Sequence, residues 1–233
     1  ATVGLSAENV IRWIVSSGNF RGNLNRAYNN WDSSRKEAFH EKFARIFRNQ
    51  TQKGVSGHWT IFFADKEIKV PLRPDHLWLD WDSAISYLGH DLDVKTTYEE
   101  LLRSNTPPKM FFDVGANYGT HSVLMSSVGV ESIPFEPNPN CLSYFEAALA
   151  LNNAEVKIQK IGLGASEQEA ELWFPEDETW LGTLDLEVKD GLDGQFDLSK
   201  EVVQISTMDA FIERTSKHPD LVKIDTEGHE EAV

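Results

Sequence analysis

A chain of 233 residues is long enough for one ordinary domain and an appendage, and its 40% hydrophobic and 25% charged content is that of a soluble globular protein. A net charge of −15 with a pI near 4.8 argues against nucleic acid as a partner, because phosphate binding needs a basic footprint. No apolar run approaches the ~18 residues of a membrane span, the first residues lack a charged-then-apolar leader, and the lone Cys141 excludes an internal disulfide; the expectation is a cytoplasmic protein with no membrane partner.

Residues 1 to about 50 read as helical. Ser6 suits an N-cap, with Leu5 and Val10 as a hydrophobic staple; Val10, Ile11, Ile14 and Val15 form an apolar stripe that Gly18 can end. A second helix starts at Trp31-Asp32-Ser33 and sets Phe39, Phe43, Ile46 and Phe47 on one face, a pattern of core packing. From Trp59 to Leu72 the period changes to two, and the alternation around Asp65-Lys66-Glu67 predicts a β-hairpin ended by Pro71 and Pro74. Trp78, Asp80 and Trp81 read as core or rim residues rather than a carbohydrate surface. Thr97-Tyr98-Glu99-Glu100 has the form of a capping box leading into Leu101-Leu102. Residues 1–106 are therefore expected to form a helical cap with a hairpin and docking helices, separate from 107–233.

The second half alternates in type: strand 110–114, helix 119–128, strand 130–136, helix 139–151, strand 155–163, then helix 207–215 and strand 220–225. That order predicts an α/β fold with a parallel sheet and crossover helices. Residues 166–206 interrupt it and read as a non-helical antiparallel insertion, with short strands at 172–174, 183–188 and 202–205.

The stretch Met110-Phe111-Phe112-Asp113-Val114-Gly115-Ala116-Asn117-Tyr118-Gly119 runs from strand to glycine turn to helix start, with the Thr120 hydroxyl near the first helical turn. Such a turn lets the backbone approach a ligand and offers free N–H groups. Glu136, at the end of the next strand, is placed to accept from the hydroxyls of a ribose. Nicotinamide dinucleotide and S-adenosylmethionine both carry one. The pattern Gly115-x-Asn117-x-Gly119 lacks the dinucleotide fingerprint, and Asp113 would repel a pyrophosphate but suit a methionine ammonium, which favours S-adenosylmethionine.

Three blocks in order, Phe112-Asp113-Val114-Gly115-Ala116-Asn117-x-Gly119, Phe135-Glu136-Pro137-Asn138-Pro139 and Val222-Lys223-Ile224-Asp225-Thr226-Glu227-Gly228-His229-Glu230, resemble the FkbM-type methyltransferases. Ile161-Gly162-Leu163-Gly164-Ala165 and Gly182-Thr183 also fit, and the resemblance covers roughly residues 108–233. It implies a Rossmann-like class I methyltransferase fold and transfer to a hydroxyl of a sugar, polyketide or similar small molecule. By that resemblance Asp113, Gly115, Asn117 and Gly119 would hold the methionine part, Glu136 the ribose with Asn138 nearby, and the loop from Gly162 and Leu163 to Ala165 would border the adenine.

The last predicted strand ends at the mouth of such a site, so Asp225, Glu227 and His229 are the candidate bases. Lys223, on the same strand face as Asp225, reads either as its internal ion-pair partner or as an orienter of the acceptor. Two carboxylates do not make a metal site, and none is expected. His121 reads as a helix surface or packing residue, and Thr183 has no role legible from position. The family's domain continues beyond the Glu227-Gly228-His229-Glu230 segment, so only the 3-2-1-4 half of the sheet is expected here. Strand 220–225 would then be a bare edge, in a truncated product or in one that associates with a second copy. The rival readings are a nicotinamide oxidoreductase and a catalytically idle binding module.

Overall fold

The computed structural model describes residues 31–32, 34–35, 57–72, 92–175 and 181–233. The chain divides into two compact units, Ala1–Pro107 and Pro108–Val233. The apolar stripe at Val10–Val15, the Phe39–Phe47 face and the Trp78, Asp80 and Trp81 group lie outside the described residues.

In the first unit, β1 (Gly57–Phe63) and β2 (Lys66–Leu72) form the expected antiparallel hairpin. Its turn is the pair Ala64-Asp65, one residue earlier than the alternation placed it, and both residues have positive φ (45° and 63°). That backbone hand matches the twist of two-residue hairpins. Pro71 does not end the hairpin; it is buried within β2 opposite His58. Helix α1 (Leu92–Leu102) starts five residues before the expected capping box. Thr97 is mid-helix, and its hydroxyl donates to the Asp93 carbonyl one turn back (2.8 Å) instead of capping a start.

In the second unit the elements are β3 (Met110–Val114), α2 (Thr120–Ser127), β4 (Glu131–Phe135), α3 (Pro139–Leu151), β5 (Gly162–Leu163), β6 (Gln168–Pro175), α4 (Leu186–Asp193), β7 (Leu198–Ser206), α5 (Met208–Thr215) and β8 (Leu221–Ile224). A short 3-10 turn, Glu230–Ala232, follows. β3 lies between β4 and β8, parallel to both. At its start, the Asp220 carboxylate accepts from the N–H groups of Lys109 (2.8 Å) and Met110 (3.0 Å), and these bonds hold its pKa below the ordinary range. Among the described residues β8 is an edge of this sheet.

The expected strand 155–163 is not continuous. It touches the sheet at one parallel bridge, Phe135 with Gln159. There the Gln159 N–H donates to the Pro134 carbonyl (2.9 Å) and the Glu136 N–H to the Gln159 carbonyl (3.0 Å). Residues that alternate along a strand face the same neighbour, so Pro134 also turns its ring nitrogen, which has no hydrogen to give, toward this segment and cuts the ladder short. The 3-2-1-4 order survives, with its outermost strand reduced to a contact. Gly162 and Leu163 instead join a second sheet, ordered β5-β7-β6, in which β5 is parallel and β6 antiparallel to β7.

The insertion is antiparallel as expected, but it contains a helix. Leu184, Leu186 and Val188 alternate like a strand; the Asp185 carboxylate overrides that pattern by accepting from the Glu187 and Val188 N–H groups (2.8 and 3.0 Å), which starts α4. Leu186 is accordingly left exposed.

β3 is buried on both faces. On one, Phe112 and Phe135 meet Phe211 of α5 edge-on, with ring centroids 5.7 and 4.9 Å from the Phe211 ring. Phe211→Ala is expected to destabilise the chain by about 3–5 kcal/mol, read as a lower denaturant midpoint at an unchanged slope.

Candidate functional site

The turn after β3 is built by close packing. The N–H groups of Gly115 and Ala116 both donate to the Phe135 carbonyl (3.1 Å each), tying the turn to the end of β4. Gly115 has φ 72°, and a Cβ there would lie 1.9 Å from the Asp225 carbonyl oxygen. Gly119, the N-cap of α2 at φ 81°, faces the Phe145 ring so closely that a Cβ would sit 2.0 Å from it. The glycines thus make room for the residue that follows β8 and for α3, and Gly115 also lines a cavity at the carboxyl ends of the strands. The N-cap of α2 is Gly119, which has no side chain to cap the helix.

Glu136 joins the turns that follow β3 and β4. Its Oε2 accepts from the Asn117 N–H (2.6 Å) and its Oε1 from the Asn138 N–H (2.7 Å). Asn117 holds a left-handed conformation (φ 51°), and its side-chain oxygen accepts from the Cys141 thiol (3.3 Å). Asn138 caps α3 by accepting from the Asn140 N–H (3.1 Å). Burial pushes the Glu136 pKa up to about 7, against the pull of the two N–H groups and of Lys223.

Six of the expected cofactor residues, Gly115, Asn117, Glu136, Asn138, Gly162 and Leu163, line one cavity at the carboxyl ends of the strands, together with Asp225 and Glu227. Asp113, Gly119, Lys223 and His229 are not part of that lining. Asp113 is fully buried: Oδ2 accepts from the Ser122 hydroxyl (2.7 Å), while Oδ1 has no hydrogen bond and lies 3.6 Å from the Lys223 ammonium. The ammonium donates to the Gly115 carbonyl (3.2 Å) and pairs with Asp225 (3.2 Å), so Lys223 is an internal ion-pair partner that also braces the glycine turn.

Glu227 sits in a left-handed conformation (φ 51°). Partial desolvation, Asp225 and Glu230 raise its pKa, opposed by Lys223, although the residue as a whole stays exposed to solvent. The Glu230 carboxylate accepts from the Thr226 and Gly228 N–H groups. Burial disfavours its charge, but those donors and its own N–H outweigh that and hold its pKa low. The His229 ring lies against Gly164, and His121 is buried in α2. Among the described residues no group of three or more His, Cys, Asp or Glu is placed to hold a metal, and no helix is long and apolar enough to cross a membrane.

Sequence reasoning missed Ser122, Cys141, Leu172 and Leu184. Ser122 had a signal, since a hydroxyl nine residues past Asp113 falls in the first turns of the helix that packs on β3. Leu172 and Leu184 reach the cavity through the fold of the insertion, which leaves no local mark.

A model of the methyltransferase FkbM domain matches residues 113–233. The chain belongs to that family. Two solved structures are similar to part of it. One is the SAM-dependent methyltransferase from Agrobacterium tumefaciens, at 9% identity and TM-score 0.31, over 46% of this chain and 33% of that one. The other is a provisionally assigned transferase from Pyrococcus horikoshii, at 11% identity and TM-score 0.31, over 55% of this chain and 48% of that one. The chain thus spans about a third and about half of these structures. No curated protein matches it.

FkbM membership makes S-adenosylmethionine the cofactor, rather than a nicotinamide dinucleotide. The residues fit that group. Each Glu136 oxygen accepts one N–H in the structure and keeps a further lone pair, so the cavity offers two acceptors for a pair of ribose hydroxyls.

Glu136 also sets a pH dependence. Its folded pKa, about 7, lies above the ordinary 4.5, so its contribution to stability is complete below about pH 4.5 and is lost as pH rises through 7. Relative to Glu136→Gln, the wild type is expected to lose on the order of 3 kcal/mol between pH 4.5 and 7 in denaturant titrations. A pH-independent difference would contradict the burial of an ionising carboxyl there.

Proposed function

We propose that residues 107–233 form an S-adenosylmethionine-dependent O-methyltransferase domain, with residues 1–106 a separate cap, and that the acceptor is a hydroxyl of a sugar, polyketide or similar small molecule. The observation that carries this reading is a single cavity lined by both Glu136 and Glu227 at the tips of a parallel sheet. In it Glu136 would hold the ribose, Asn117 and Asn138 would flank it, and Gly162 and Leu163 would border the base. Asp113 does not reach this cavity; its part is to hold Ser122 and Lys223 in place.

Bound there, the cofactor supplies a methyl group activated by a positive sulfur. The chain's own task is to align an acceptor oxygen and take its proton. Glu227 is the best-placed base: it lines the cavity, and its surroundings raise its proton affinity above that of an ordinary carboxylate. Asp225 also lines the cavity, but its carboxylate is engaged in the ion pair with Lys223. His229 lies outside the lining. The acidic chain argues for a small acceptor rather than a nucleic acid.

Glu136→Ala is expected to weaken binding of S-adenosylhomocysteine about 10²-fold by calorimetry, through loss of two hydrogen bonds to a charged group. Acceptors can be found by following radioactive methyl from S-adenosylmethionine into hydroxylated small molecules of a cell extract. With such an acceptor, Glu227→Gln is expected to slow transfer about 10²–10⁴-fold at unchanged S-adenosylhomocysteine affinity. Full activity in that variant would remove Glu227 as the base, and absence of any labelled acceptor would favour the idle binding module.

A further inference from the structure

Thr183, within the insertion, is fully buried against the loop that carries Glu227. Its backbone is fixed on β6, where its N–H donates to the Trp173 carbonyl (2.9 Å) and its carbonyl accepts from the Trp173 N–H (3.0 Å). Its hydroxyl accepts from the Asp185 N–H (3.0 Å) and donates to the Glu227 carbonyl (2.9 Å). A hydroxyl has one proton to give, and this one goes to the loop.

The loop needs such a hold. Glu227 is a non-glycine residue at φ 51°, followed by Gly228 at φ 101°. A side chain in that region is strained unless its surroundings fix it. Glu230 takes the N–H groups of Thr226 and Gly228 on one side. On the other, Gly228 is packed against α4, where a Cβ would lie 2.9 Å from Val188 Cγ2 and 3.3 Å from Asp185 Cβ. The Glu227 carbonyl is left to Thr183.

We infer that Thr183 is a positioning residue: by holding the Glu227 carbonyl, its hydroxyl keeps the Glu227 carboxylate turned into the cavity, so the part of the insertion that joins β6 to β7 orients the base. The part of this inference that concerns catalysis rests on Glu227 being the base; the hold on the loop does not.

The test compares Thr183→Val and Thr183→Ser in the full chain, using carbon-13 titration of the Glu227 carboxyl and calorimetry with S-adenosylhomocysteine. The charged groups around that carboxyl are Asp225, Glu230 and Lys223, with Asp185, the N-cap of α4, beside the loop. In the valine variant Glu227 is expected to titrate lower, back toward an ordinary carboxylate, because it leaves the cavity; S-adenosylhomocysteine affinity should stay within about twofold. The serine variant should restore the wild-type titration. Thr183→Ala, which adds no bulk, carries the same expectation if the valine chain does not fold. An unchanged titration without the hydroxyl, or a serine variant as altered as the valine one, would overturn the inference. Full transfer activity in Glu227→Gln would instead remove the base assignment while leaving the titration to judge the hold on the loop.

Discussion

A carboxylate buried at the end of β4 holds the site together. Removing an ionised group from water is costly unless hydrogen bonds replace the hydration. Glu136 receives two backbone N–H groups, one from each neighbouring turn. The raised pKa shows that these donors only partly offset burial. Two further hydroxyl donors, such as a ribose supplies, would favour the ionised form and complete the set. Glu136 is therefore both the fastener of the two turns and the group with the most to gain from the family's cofactor.

Lys223 carries the same logic to the other side of the turn. It lies among the buried Asp113, the Gly115 carbonyl and the half-exposed Asp225, and so links the core of the sheet to the rim of the cavity. Without that cation, Asp113 would be a buried charge with one hydroxyl donor, and the Asp225 carboxylate would lose its partner. The acidic residue of the first sequence block thus contacts a lysine two strand positions before Asp225, a neighbour that a linear reading does not reveal.

What the sequence disclosed was local. Apolar runs bounded by Pro107-Pro108, Gly115 and Pro137 marked β3 and β4, and the order of elements marked the parallel sheet. The readings that failed were those in which one residue outweighs a pattern: Asp185 turns an alternating stretch into a helix, and Pro134 truncates a strand that lies some 25 residues further on. The cavity followed the same division. Residues at strand tips could be named from their motifs, while Leu172, Leu184 and Cys141 reach it through tertiary packing that no spacing encodes.

The loop after β8 shows why that packing matters for chemistry. Glu227, a non-glycine residue at positive φ, stores strain on the order of 1–3 kcal/mol, whereas Gly228 takes its positive φ freely, and such strain persists only where the surroundings over-determine the backbone. Here Glu230 takes the amides, Thr183 takes a carbonyl, and α4 closes on Gly228. All three ties are internal to the chain, so the polar wall of the cavity is set before any ligand arrives. On the proposed assignment of Glu227 as the base, a side chain on a loop held in this way would lose little freedom when an acceptor binds, and alignment rather than strong general-base power would be the larger share of what the protein adds to the proposed transfer.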